Sequence, residues 1–165
     1  MELWDILDKN GKPKGYTHER GKPVADGDYH LVVEVFVTTP DKRLLLMRRH
    51  PDKPYGDSWE ITGGSAVAGE DSLTAVQREL SEETGIALTK ESFSLRSVHV
   101  GNHAIYHFYH AEADITLKDI VLQENETVGA ILVNAEEFSK LYASDELCKP
   151  AAQRHYNDIL KELQI

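Results

Sequence analysis

Residues 63–86 read GGSAVAGEDSLTAVQRELSEETGI, and the fold of the whole chain turns on how this stretch is wound. At about 100° per residue, the part from Asp71 to Thr84 sets Leu73, Val76, Leu80 and Thr84 three and four residues apart, an apolar stripe suited to packing on a sheet. Asp71 or Ser72 can cap the first turn, and Gly85 ends the last one before apolar Ile86. The spacing predicts a helix over 71–84. Glu79, Glu82 and Glu83 are related as i, i+3 and i+4, so they share one face beside the stripe, at the rim of the core. Like charges at that spacing cost roughly a few tenths of a kcal/mol per pair. Arg78 is related to Glu82 as i, i+4 and offsets one charge, but not three. Crowded hard oxygens of this kind suit Mg²⁺ or Mn²⁺. A lone Glu-x-x-Glu-Glu is ordinarily a solvated helix face. Here a glycine-rich lead-in stands ahead of it: Gly63 and Gly64 allow close backbone approach to phosphate or metal, and Glu70 adds a carboxylate just before the helix.

Outward from this segment, the chain alternates extended and helical pieces. Leu3 to Leu7 and Lys14 to Thr17 flank the turn-rich Asp8-Lys9-Asn10-Gly11, which predicts a small opening hairpin. His30 to Thr38 and Arg43 to Arg48 read as paired core strands across Pro40-Asp41-Lys42. His50 to Ser58 is broken by Pro51, Pro54 and Gly56 into a loop, and Trp59 to Thr62 is a short extended piece running into the glycines. Strands are expected at Ser94 to Val100, Ala104 to Ala111 and Val128 to Val133, and helices at Ala135 to Tyr142 and Pro150 to Leu163. The order predicts one mixed α/β domain over 1–165, with helices on both faces of a sheet and residues 1–28 as an N-terminal hairpin extension.

Composition narrows the function. The 165 residues are 41% hydrophobic and 28% charged, proportions of a globular protein with its own core. The 18 Lys and Arg against 28 Asp and Glu leave −10, a field that repels nucleic acid and anionic membranes. Cys148, the single cysteine, has no internal disulfide partner and reads as a small buried filler in a reducing compartment. The start, MELWDILDKNGK, lacks the features of a signal peptide, and no stretch approaches a membrane span, so a cytoplasmic protein is expected.

Gly64, Glu70, Arg78, Glu79, Leu80, Glu82, Glu83, Gly85 and Ile86 each occupy the expected place of a Nudix box, and WEITGG before it and LVNAEEF after it are similar to the same family. The resemblance implies a Nudix α/β/α sandwich with a mixed central sheet. It also implies Mg²⁺-assisted attack of water on phosphorus in a nucleoside diphosphate derivative or similar small metabolite, Mn²⁺ being the natural substitute. By the same resemblance Glu82 and Glu83 are the principal metal ligands, Glu79 is a ligand or the general base, and the Gly63 carbonyl completes a coordination shell. Glu126, with Glu124 behind it, is the downstream acid that joins the site; Arg78, Glu79 and Glu82 form the catalytic group. Arg49, Lys53, Gly64 and Glu70 are expected to meet the substrate, a small-molecule diphosphate, in a monomer or homodimer.

The segments YHLVVEVFV and MRRHPDKPYGDSW, with His30, Arg49, Lys53 and Trp59, more closely resemble the isopentenyl-diphosphate isomerase branch. The catalytic Cys and metal-binding His of that branch are replaced here by Gly63 and Ser65, and its later catalytic Glu has only Asn102 and His103 in its place. An isomerase-like enzyme and a catalytically silent nucleotide-binding module on the same fold are thus the two alternatives. His99, His103, His107 and His110 invite a metal reading, but His107 and His110 point to opposite faces of a strand and read as ordinary strand histidines.

Overall fold

The opening hairpin forms as its turn chemistry dictates. In the computed structural model, which describes residues 1–164, β1 (Leu3–Leu7) and β2 (Pro13–Glu19) pair antiparallel with Leu3 opposite Glu19. Asp8 Oδ1 accepts the Asn10 and Lys12 N–H groups, and Gly11 takes φ +81°, a value glycine adopts without strain.

By contact the chain falls into two compact units: Met1–Val35 with Gly63–Glu79 and Leu88–His110, and Phe36–Thr62 with Leu80–Ala87 and the chain from Ala111 onward. In the first, β3 (His30–Thr38) begins beside β6 (Thr62–Ser65) and β8 (Ala104–Glu112), with β7 (Ser94–Val100) antiparallel on β8. Ile6, Val33, Val35, Val76, Ile105 and Phe108 fill its core. β1 is held there from both ends. Leu7 and Tyr29 exchange backbone hydrogen bonds of 2.8 and 3.0 Å, and the Trp4 indole stacks on the His30 ring at 3.8 Å between centroids.

In the second unit, β4 (Leu44–Arg49) lies between β9 (Thr127–Val133), in register from Leu44↔Val133 to Arg48↔Gly129 with a shift before Arg49↔Thr127, and the short β5 (Trp59–Glu60). α2 (Ala135–Ala143) is opened by a capping box in which Asn134 and Glu137 satisfy each other's backbone N–H. α3 (Lys149–Leu163) follows, and Phe138, Ile159 and Leu163 from these helices join Phe36, Leu44, Leu46 and Met47 in the core. Cys148 precedes α3 and is buried, as a filler should be, and burial pushes its thiol pKa up. The His30 N–H bonds the His103 carbonyl, and the Ala113 N–H bonds the Thr38 carbonyl, so β3 and β8 run parallel while β4–β9 and β7–β8 are antiparallel. The sheet is mixed, as expected.

α1 (Ser72–Thr84) spans the helix expected from periodicity, with the Asp71 carboxylate accepting the Thr74 N–H at 2.7 Å. Ala75, Val76, Leu80 and Thr84 are the fully buried stripe, while Leu73 in the first turn is only half-buried. Gly63 and Gly64, the glycines expected to allow close backbone approach, lie within β6. There the backbone packs closely on β3, since a Cβ on Gly63 would sit 2.8 Å from the Val33 carbonyl oxygen.

Candidate active site

The acids of α1 have three different surroundings. Glu82 is exposed, Glu83 is 8% exposed, and Glu79 is half-buried where the helix passes Gly64. In the first unit Arg78 organises the region. Its Nε and Nη2 donate to the two oxygens of Glu70 at 2.6 and 2.9 Å, Nη1 donates to Glu79 Oε1 at 2.9 Å, and Nη2 also reaches the Ser65 carbonyl at 3.2 Å. Helix spacing relates Arg78 to Glu82 as i, i+4, and the structure adds two acids that this relation does not include. The bonds to Glu70 and Glu79 show that the long guanidinium stem reaches back past the helix start, a direction that i, i+4 counting does not reveal. The Arg78 guanidinium holds the Glu70 carboxyl below the usual carboxylate range, with the Val67 N–H helping. Glu70 in turn raises the Arg78 pKa further above its ordinary value.

Gly64 exists for Glu79. A Cβ there would stand 2.3 Å from Glu79 Oε1, so the missing side chain is the space the carboxylate occupies. Gly64→Ala is expected to displace Glu79 and lower turnover at least tenfold with little loss of stability, because the obstructed atoms end a side chain. Gly63→Ala meets the Val33 backbone instead and is expected to destabilise the fold by about 1–3 kcal/mol. Thermal melts and steady-state rates on the two variants check the contrast, and equal effects on both quantities would refute it.

In the second unit the two basic residues expected to meet substrate are already paired. Arg49 Nη1 donates to both oxygens of Glu60 at 2.9 and 2.7 Å, and its Nε holds the Pro54 carbonyl at 2.8 Å, shaping the loop 50–58. Burial pushes the Glu60 carboxyl above its usual value, although Arg49 pulls it back. Burial works against the charge on Arg49 as well, but the charge and hydrogen bonds of Glu60, with smaller contributions from Cys148 and Glu83, leave its pKa raised. Lys53 forms an ion pair with Glu126, and the His50 N–H bonds the Glu126 carbonyl. Glu60 and Asp5, whose carboxylate accepts the Gly69 N–H at 2.7 Å, were absent from the sequence-derived site. Glu60 stands in the quoted WEITGG; for Asp5, nothing in spacing or periodicity signals its partner 64 positions away.

Among the described residues no three or more His, Cys, Asp and Glu side chains are gathered into a finished metal site. His107 Nδ1 lies 2.8 Å from Ser72 Oγ and His110 Nδ1 lies 2.9 Å from an Arg96 nitrogen, separate environments that agree with ordinary strand histidines. The chemistry of α1 nonetheless suits a hard divalent ion. Three carboxylates occupy five consecutive positions of one helix, one is buried, and a glycine leaves room beside another. No helix among the described residues is long and apolar enough to cross a membrane.

Comparison with known proteins places this arrangement. Residues 28–155 match the NUDIX domain family model. A Nudix hydrolase of Listeria monocytogenes, lmo0368, is 33% identical over 148 residues, 88% of each chain. The crystal structure of DR0079 from Deinococcus radiodurans superposes with a TM-score of 0.75 at 19% identity, covering 99% of this chain and all of that one. A bifunctional NMN adenylyltransferase/ADP-ribose pyrophosphatase of Francisella tularensis, solved with AMP and a Mn ion, matches 88% of this chain and 43% of its own, with TM-score 0.63 and 22% identity. The low identities of the two solved structures speak for the fold alone. The family match through most of the chain and the Listeria relative settle its membership: the chain belongs to the Nudix family of pyrophosphohydrolases.

Proposed function

We propose that this enzyme is a Mg²⁺-dependent hydrolase that cleaves the diphosphate linkage of a nucleoside diphosphate derivative, or a similar small metabolite, by attack of water on phosphorus. The observation that carries the reading is the α1 turn, where Glu79, Glu82 and Glu83 share a helix and Arg78 fixes the direction of Glu79. Glu82 and Glu83 would hold the cation, and Glu79 would be a ligand or accept the proton of the attacking water. The ion, when bound, withdraws charge from the diphosphate oxygens and brings the ionisation of water toward neutral pH. Arg78 keeps Glu79 in one orientation throughout, since it is anchored on Glu70.

Lys53 is the side chain best suited to meet a phosphate. Its partner Glu126 is 40% exposed, and an ion pair so open to water is worth little and exchanges readily. Arg49 stays with Glu60, for that pair is largely shielded and shapes the loop that carries Lys53.

The Francisella protein's ADP-ribose pyrophosphatase activity and its AMP complex suggest ADP-ribose and related nucleoside diphosphate compounds as the first substrates to try. The test is incubation with Mg²⁺ in H₂¹⁸O, with mass detection of both products. The expected result is two products that each end in phosphate, one of them carrying ¹⁸O, and no reaction in EDTA. Binding without products across the panel would overturn the reading in favour of a silent module, and interconversion of five-carbon prenyl diphosphates without phosphate release would favour the isomerase.

A further inference from the structure

The segment Ala66–Glu70 carries no helix or strand, yet each of its five backbone N–H groups has a protein acceptor. Ala66 donates to the Leu31 carbonyl at 2.9 Å, Val67 to Glu70 Oε2 at 2.9 Å, and Glu70 to the Val67 carbonyl at 3.0 Å. The other two acceptors come from β1. Ala68 donates to the Leu3 carbonyl at 2.8 Å, and Gly69, at φ +88°, donates to the Asp5 carboxylate at 2.7 Å. A partly buried loop without regular structure ordinarily leaves some such groups to water and is more mobile than the elements it joins. This one is fastened at every residue, and it ends on Glu70, the anchor of Arg78 and thereby of Glu79.

We propose that Asp5 is a positioning residue for the acidic turn, fixing the Ala66–Glu70 loop so that the Glu70–Arg78–Glu79 chain of charge-assisted bonds keeps one geometry. Asp5 lies outside residues 28–155, so the role belongs to the N-terminal hairpin of this chain rather than to the matched domain. The hairpin is fit for it. Trp4 and Ile6 on either side of Asp5 are buried, and the Leu7–Tyr29 bonds and Trp4–His30 stack hold β1 to the start of β3. Asp5 itself is exposed, so it contributes no core packing, and its carboxylate makes the stronger, charge-assisted kind of bond to an amide. Left-handed backbone at Gly69 would otherwise be one conformation among several for a glycine.

The consequence for a cation at α1 rests on the function proposed above; the consequence for the loop does not. The experiment compares wild type, D5A and D5N by hydrogen exchange over residues 66–70, by calorimetric titration with Mn²⁺ in the absence of substrate, and by steady-state kinetics. D5A is expected to exchange faster in the loop, to bind Mn²⁺ about tenfold more weakly, the low end of what loss of an outer partner does to a metal site, and to lose kcat with KM nearly unchanged. D5N keeps an acceptor oxygen and is expected to restore all three readouts. Wild-type loop exchange in D5A, a melting-temperature change as its only effect, or a D5N indistinguishable from D5A would each overturn the proposal. If wild type neither binds Mn²⁺ nor turns over any diphosphate while D5A still loosens the loop, the functional reading fails and the positioning of the loop stands.

Discussion

Glu83→Gln is expected to lower kcat by about 10²-fold or more, with the melting temperature unchanged or slightly raised. Under the proposed role of Glu83 as a metal ligand, the rate estimate follows from the several kcal/mol of transition-state charge stabilisation that a divalent ion would supply, of which a ligand controls a large share. The stability estimate follows from burial. Glu83 is 8% exposed, and holding a carboxylate out of water is costly unless charge compensates it. Glutamine keeps the shape and an acceptor oxygen but removes the charge, so relief of the desolvation cost outweighs the small loss of attraction to Arg49, while the binding of a cation is weakened. Stability and activity then move apart, as they do where a site retains a costly group for function. Raising Mg²⁺ should recover part of the lost rate. A Glu83→Gln enzyme with wild-type turnover at limiting Mg²⁺ would show that α1 does not hold the ion.

Arg49→Ala should be the most destabilising single change among the polar residues discussed, by about 3 kcal/mol, because it strands the shielded Glu60 carboxylate. For a chain of this size that corresponds to a fall of roughly 6–12 °C in Tm. The effect carries a pH signature. Burial already holds the Glu60 carboxyl above its ordinary value of 4.5, and Arg49 is the main influence drawing it down. Without Arg49 the folded state prefers the protonated carboxyl more strongly, so folding is favoured at low pH and stability is lost as pH rises through the raised folded-state pKa. The deficit relative to wild type should therefore be smallest near pH 4.5 and widest at neutral pH. Adding Glu60→Gln removes the stranded charge and should restore most of the loss. Urea unfolding from pH 4.5 to 8 measures all three proteins; a constant deficit, or none, would mean that the pair does not stabilise the loop 50–58.

Much of this was legible before any coordinates. The helix expected over 71–84 spans Ser72–Thr84, and the hairpin forms around Asp8–Gly11. Each depends on short-range regularities, either a 3.6-residue period or a turn whose φ angles only certain residues accept. The need for the glycine pair was not legible, because its reasons, the Val33 carbonyl at Gly63 and the Glu79 carboxylate at Gly64, lie on other elements. The pairing of Arg49 and Lys53 was not legible either, because their partners, Glu60 and Glu126, stand 11 and 73 positions away.

By itself the sequence determined which acids share a helix and where that helix starts and stops, because backbone geometry converts residue spacing directly into direction, and its box residues carried the resemblance to the Nudix family. Tertiary structure alone decided which charges are already answered: Arg78 by Glu70 and Glu79, Arg49 by Glu60, Lys53 by Glu126, and the Gly69 N–H by Asp5. Those pairings depend on how distant segments pack and on how far flexible side chains reach, and no period in the chain encodes either.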